Sequence, residues 1–208
     1  MPALHTLLTF FGASLLLALA PGPDNLFVLA QSASTGMRSG LLVTAGLCTG
    51  LLVHTSLVAV GVAALIRASP VAFSLLKGAG AAYLVYLAWL SFRAAPVGLA
   101  GDGEPKLPAS TLYRRGIVMN VTNPKVTLFF LAFLPQFADP ARGPLWLQIG
   151  VLGAVFIVAT VLVFGSIAAL AGRLGAAFAR SARAQRLINR GAALVFVALA
   201  VELALARL

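Results

Sequence analysis

Two polar clusters interrupt an otherwise strongly apolar sequence: Pro21-Gly22-Pro23-Asp24-Asn25 and Asn120-Val121-Thr122-Asn123-Pro124-Lys125. Each places proline beside an ionisable side chain, and the pairing has a chemical use. Pro21 and Pro23 remove backbone donors, Gly22 adds conformational freedom, and Pro23 suits the first position of a new helical segment. A helix broken there presents free amides and a positive N-terminal end to a polar ligand. The alternative is a plain kink, or a helix end with Asp24 at the headgroups. In the second cluster Asn123 can cap a helix, Pro124 fits its first position, and Lys125 falls in its first turn. A lysine there opposes the helix dipole, so a negative partner is expected, either Asp24 or a ligand carboxylate. Snorkelling of Lys125 to the headgroups is the competing reading.

The elements that must position these groups are membrane spans. The chain has 208 residues, 61% hydrophobic and only 10% charged, with a mean hydropathy of +1.01. Soluble domains carry nearer 25% charged residues. No charged residue lies between Met1 and Asp24, between Arg38 and Arg67, or between Arg142 and Arg173. Such gaps supply the roughly 20 apolar residues a helix needs to cross a bilayer. Six spans are predicted, at 4–31, 40–66, 70–92, 116–137, 145–171 and 188–205. Runs such as 57–66 are apolar on every side, unlike the alternating strands of a barrel, so the expectation is an all-α integral membrane protein. The first 20 residues end in Ala18-Leu19-Ala20 but lack a preceding basic residue, so cleavage as a signal peptide is not expected.

The net charge of +10 and pI of 11.4 suggest nucleic acid at first sight, but the basic residues sit between apolar spans, where they orient a membrane protein. Arg38, Arg93, Lys106, Arg114, Arg115, Arg173, Arg180, Arg183, Arg186 and Arg190 fall in one set of loops, and Arg67, Arg142 and Arg207 in the other. Ten against three predicts cytoplasmic loops after spans one, three and five, with both termini extracytoplasmic. The whole chain, 1–208, then forms one transporter domain: a first half at 1–93, a cytoplasmic linker at 94–113 and a second half at 114–208. Three spans per half make the halves inverted repeats, an architecture of transporters. The first span is about 28 residues, or roughly 42 Å, so it must tilt or break. On this topology both breaks fall in the cytoplasmic half of the bilayer.

Several other residues have two readings each. His54 could relay protons or simply bond a neighbouring helix. Lys77 could line a pathway or snorkel. Tyr83 and Tyr86 could offer hydroxyls to a cavity or make structural hydrogen bonds, and Glu202 is expected at the outer interface. Gly46 and Gly50 form a GxxxG that packs within the chain or in a homodimer. Arginines between 173 and 190 recur at helical spacing, which fits a surface amphipathic helix on anionic membrane lipids or topology determination alone. Cys48 is the single cysteine, which excludes a disulfide framework and a CxxC redox pair. No HExxH, GxSxG or paired intramembrane aspartates occur, so an embedded enzyme is disfavoured, and no metal or cofactor is expected. A noncatalytic assembly subunit remains as an alternative that explains the packing glycines but not two polar breaks.

The Pro21-Gly22-Pro23-Asp24-Asn25 break, the Gly78-Ala79-Gly80-Ala81-Ala82-Tyr83-Leu84 stretch, and Gly116…Asn120…Asn123-Pro124-Lys125 running into Phe133-Leu134-Pro135-Gln136-Phe137 together resemble the LysE/RhtB exporters. The likeness spans essentially the whole chain. It implies secondary export of amino acids or their derivatives, driven by the proton gradient, across an inner membrane. Members differ in cargo among homoserine, threonine, lysine, arginine, leucine, cysteine and others. On that reading a substrate ammonium, or a proton in exchange, uses Asp24. The substrate carboxylate meets Lys125 and the amides beside Pro23 and Pro124, and Asn25, Asn120 and Asn123 orient it. Asp24 and His54 are the proton-coupling candidates.

Overall fold

A residue preceding proline is pushed out of the helical region by the proline ring, and this rule sets where the first and fourth spans stop. Ala20, Gly22 and Asn123 each precede a proline and each is extended, at ψ values of 121°, 178° and 108°. The computed structural model describes residues 1–68, 70–94 and 107–205. Its helices are α1 (Leu4–Leu19), α2 (Pro23–Thr35), α3 (Met37–Ala68), α4 (Pro70–Arg93), α5 (Ala109–Thr122), α6 (Pro124–Leu128), α7 (Leu145–Arg180) and α8 (Ala182–Leu205). A π-helical turn at Phe129–Phe133 and a 3-10 turn at Leu134–Phe137 carry α6 onward, and a short 3-10 turn follows at Pro140–Arg142. No strand occurs among the described residues.

Helices α3, α4, α7 and α8 each contain a stretch long and apolar enough to cross a bilayer, and two bent pairs complete six spans. The pair α1/α2 bends by 63° and the pair formed by α5 with 124–137 bends by 50°. The protein is thus an all-α membrane protein with broken first and fourth spans. The breaks divide their pairs almost evenly, since 16 residues precede the first and 14 the second. The predicted start of span four at 116 was too late. Arg114 and Arg115 are exposed on α5 rather than in a loop, and the Arg115 guanidinium lies 6.0 Å from the Phe27 ring on α2. Asn123 therefore sits mid-span and not near its start. Nor do residues 173–190 form a separate surface helix, because α7 runs on to Arg180 and α8 starts at Ala182. Of the topology-bearing residues, Lys106 and Arg207, and the side chains of Arg67, Arg173 and Arg180, lie outside the described residues.

The two halves interlock. The broken pair α1/α2 packs on α7, and α5 packs on α3; α3 also crosses α7, and α4 crosses α8. Exchanging the halves maps these pairings onto themselves, as two related three-helix units require. Lipid is as apolar as a leucine side chain, so helices associate in it by close packing at small residues. A Cβ on Gly46 would collide with the Tyr113 carbonyl, and one on Gly116 with the Val43 carbonyl. The GxxxG of α3 is therefore covered by α5 inside the chain and is not free for a dimer contact. Gly153 likewise admits Thr55 where α3 crosses α7.

Two separate apolar clusters fill the interior. One contains Phe10, Leu51, Phe129, Phe130, Phe133 and Phe156, with many smaller neighbours. The other contains Val28, Val43, Leu47, Leu112, Val163 and Phe164. Along each of α3, α7 and the α5/α6 pair, one cluster ends before the other begins, and on α7 and the α5/α6 pair buried polar residues occupy the gap. On α7 that residue is Thr160, between Phe156 and Val163; on the broken fourth span they are Asn120 and Asn123, between Leu112 and Val126.

Candidate functional site

Breaking α1 leaves its last carbonyls without helical partners, at the negative end of its dipole. Two side chains satisfy them. Asn25 Nδ2 donates to the Ala18 carbonyl at 2.7 Å, and Lys125 Nζ donates to the carbonyls of Ala20 at 3.0 Å and Leu17 at 3.4 Å. Lys125 thus hydrogen-bonds to the α1 C-terminus, while the Asp24 carboxylate borders the same cavity without forming an ion pair within 4.0 Å. The backbone carbonyls win because the break exposes them opposite the first turn of α6. An ammonium has three N–H donors, and these bonds engage two.

Pro23 opens α2 and puts Asp24 and Asn25 in its first turn, where a carboxylate suits the helix dipole. Asp24 is only 3% exposed. Its Oδ2 accepts a hydrogen bond from Asn123 Nδ2 at 3.0 Å, across 99 residues of chain. Asn123 also caps α6 as expected, its Oδ1 accepting from the Lys125 amide at 3.0 Å. The two breaks are thereby joined through one side chain. Pro21, Gly22 and Pro124 contribute backbone shape. A Cβ on Gly22 would stand 3.2 Å from Lys125 Nζ, so glycine leaves the ammonium its room.

Asn120 projects from α5 beside Gly50, where an added Cβ would come within 2.7 Å of the Asn120 side chain. Its backbone carbonyl accepts from His54 Nε2 at 3.2 Å. A carbonyl can only accept, so that nitrogen carries a proton. The imidazole also packs on Phe130 at 5.6 Å. His54 thus stands behind Asn120, bonded to a neighbouring helix. Asp24, Asn120 and Lys125 border a small cavity of about 20 Å³, together with Leu17, Ala18, Leu47, Val126, Phe156, Thr160 and Phe164. A space of that size holds about one water, far less than an amino acid. Asp24 Oδ1, Asn120 Oδ1 and Thr160 Oγ1 are buried without a hydrogen-bond partner.

Sequence reasoning missed Thr160 and the carbonyls of Leu17 and Ala20. Thr160 lies in the apolar run Val158-Ala159-Thr160-Val161-Leu162, and a lone threonine in a membrane helix ordinarily bonds its own backbone, so nothing marked it. The other singled-out residues lie elsewhere. Tyr83 and Tyr86 face each other, with rings 5.9 Å apart on α4, and neither borders the site cavity; Tyr86 and Glu202 are exposed. Lys77 is half-buried on α4 and does not border the site cavity. A second, larger cavity of about 820 Å³ lies between α1/α2, α7 and α8. Its lining is almost wholly apolar and shares Ala20, Pro21 and Asn25 with the break.

The family model described as LysE type translocator matches residues 15–207. The chain belongs to this family. Its members are transporters and not enzymes. A homoserine/homoserine lactone efflux protein of Salmonella typhi is 36% identical over 194 residues, covering 93% of each chain. The protein of the same description from Salmonella typhimurium matches with the same identity and coverage. An uncharacterized membrane protein of Vibrio cholerae is 36% identical over 172 residues, 83% of each chain. No solved structure matches this chain. Efflux of an amino-acid-type small molecule across a membrane is therefore the activity the family supports.

Proposed function

We propose that this protein exports an amino acid or a close derivative from the cytoplasm in exchange for protons, through the site where the two helix breaks meet. The observation that carries the reading is the pair of buried, oppositely charged side chains, Asp24 and Lys125, around one small cavity between two apolar clusters. A charge buried in a membrane is costly unless it has a use, and such residues mark solute and proton pathways. The substrate ammonium approaches Asp24, and the substrate carboxylate takes the third N–H of Lys125 with the amides at the start of α2 and α6. Protonation of Asp24 from the outside neutralises it and releases the ammonium. Return of the proton to the cytoplasm restores the site. The two apolar clusters then act as the alternating seals, one on each side of the polar residues.

The arginine distribution favours both termini on the outer face of an inner membrane. In support, the Met1 amino group donates to the Arg142 carbonyl at 2.5 Å, which puts the N-terminus beside the turn between the fourth and fifth spans. Homoserine and homoserine lactone, the cargoes named for the Salmonella relatives, are the first to test. Both carry an ammonium, but only homoserine carries a carboxylate.

The deciding experiment is flux of labelled L-homoserine into inverted proteoliposomes with an acidic lumen. The wild-type protein should accumulate it, and Asp24→Asn should lose the response to the pH gradient. Gradient-driven uptake by Asp24→Asn at the parental rate would leave Asp24 as a helix-breaking residue only. No flux of any amino acid across a broad panel would favour a noncatalytic subunit.

A further inference from the structure

Thr160 departs from what six other helical threonines do. Thr35, Thr44, Thr49, Thr55, Thr122 and Thr127 each donate their hydroxyl to the carbonyl four residues back, at distances from 2.7 to 3.1 Å. This is the ordinary resting place of a hydroxyl in a helix without water. Thr160 is only 2% exposed, sits in the middle of α7, and makes no such bond. It borders the 20 Å³ cavity with Asp24 and Asn120, whose Oδ1 atoms are also unpartnered. Three buried oxygens from three separate helices, α2, α5 and α7, therefore surround one small space with nothing bonded to them. An unsatisfied buried acceptor is unfavourable by about 1–3 kcal/mol in general, so three at one point indicate a missing donor.

We infer that Asp24 Oδ1, Asn120 Oδ1 and Thr160 Oγ1 form a three-oxygen cradle for a primary ammonium group, with Thr160 as a substrate-contacting residue contributed by α7. This rests on the export reading for the identity of the cargo, but the cradle itself follows from the orphaned oxygens. A primary ammonium has three N–H donors, one for each oxygen. A carboxylate has none, and each added N-methyl group removes one donor while enlarging the head. The site therefore selects by the amine end of the substrate and takes primary amines over N-methylated ones. A bound water supplies only two donors and leaves one oxygen unmatched.

The test uses the full-length protein with two readouts. In proteoliposomes, Thr160→Val should raise the KM for L-homoserine about tenfold, because a hydrogen bond to a charged group is lost, and Thr160→Ser should restore it. N-methyl-L-homoserine should compete poorly against the wild type, and the penalty for N-methylation should shrink in Thr160→Val. In detergent, ethylammonium chloride should raise the melting temperature of the wild type, tetramethylammonium chloride at equal ionic strength should not, and Thr160→Val should abolish the shift. L-homoserine transport by Thr160→Val at the wild-type KM overturns the cradle while the export reading stands. A wild-type protein stabilised by ethylammonium but moving no amino acid overturns the export reading and leaves the cradle. Equal stabilisation by ethylammonium and tetramethylammonium overturns the cradle outright.

Discussion

Asn123 grips Asp24. The asparagine caps its own helix with Oδ1 and, with Nδ2, donates at 3.0 Å to the carboxylate on the other broken span. One side chain therefore fixes both the start of α6 and the orientation of the acid, and the free Oδ1 of Asp24 is turned to the cavity because Oδ2 is held. Anything that moves the second break relative to the first changes what the carboxylate can bind. That is a physical route by which movement of one half reports on the other.

Replacing Asn123 separates its two roles. Asn123→Ala removes the cap, worth about 1 kcal/mol, and also frees Asp24; transport should fall more than tenfold and the melting temperature should drop by several degrees. Asn123→Ser keeps a capping oxygen but cannot donate across to Asp24 in the same way. Its melting temperature should stay nearer the parental value while L-homoserine flux remains low. Parental flux in Asn123→Ser would show that the bond to Asp24 is not needed.

Gly50 gives a test of how closely α3 and α5 must approach. An added methyl would stand 2.7 Å from both Cβ and Oδ1 of Asn120. Cβ is the stem of the side chain and cannot swing aside, so the helices must separate. Overpacking of this kind is destabilising by about 1–3 kcal/mol. Gly50→Ala should lower both melting temperature and flux, whereas Gly61→Ala on the same helix, with nothing within 4 Å, should change neither. Equal flux in the two variants would mean that Asn120 does not need its present position.

Much of this arrangement is legible in the sequence. Charge gaps mark six spans because hydrocarbon excludes charge, and proline marks both breaks because its ring acts on the residue before it. Those are local rules, and local rules survive folding. The identity of Lys125's partner was not readable, since it depends on backbone carbonyls of α1 that sequence does not distinguish from any others. Thr160 was hidden for a related reason: its composition is ordinary, and only the absence of the usual bond to its own helix sets it apart. The start of span four is not legible because a helix continues through arginines once those side chains can reach an aromatic ring, as Arg115 does over Phe27.

Gly22→Ala is a milder probe of the ammonium on Lys125. Gly22 has φ −166°, extended backbone that alanine adopts without strain, so folding should be preserved. The new Cβ would lie 3.2 Å from Nζ and 3.7 Å from Cε of Lys125, the mobile end of a long side chain. A displacement of a few tenths of an ångström should weaken its bonds by about 1 kcal/mol, raising the KM for L-homoserine about fivefold at an unchanged melting temperature. A parental KM would indicate that Lys125 tolerates the shift and binds the ligand loosely.

Removing the charge on Lys125 tests which end of the substrate it holds. Lys125→Met keeps most of the volume but leaves the Leu17 and Ala20 carbonyls without their donor, at about 1–3 kcal/mol for each buried acceptor left bare. The melting temperature should therefore fall, and flux must be compared between substrates rather than in absolute terms. If Lys125 meets the carboxylate, affinity for L-homoserine should drop by tenfold or more, because a bond between two charged groups is lost. L-homoserine amide, which retains the ammonium but has no carboxylate charge, should lose much less. The ratio of the two KM values is insensitive to a general loss of folded protein. An unchanged ratio would confine Lys125 to stitching the end of α1 to the start of α6.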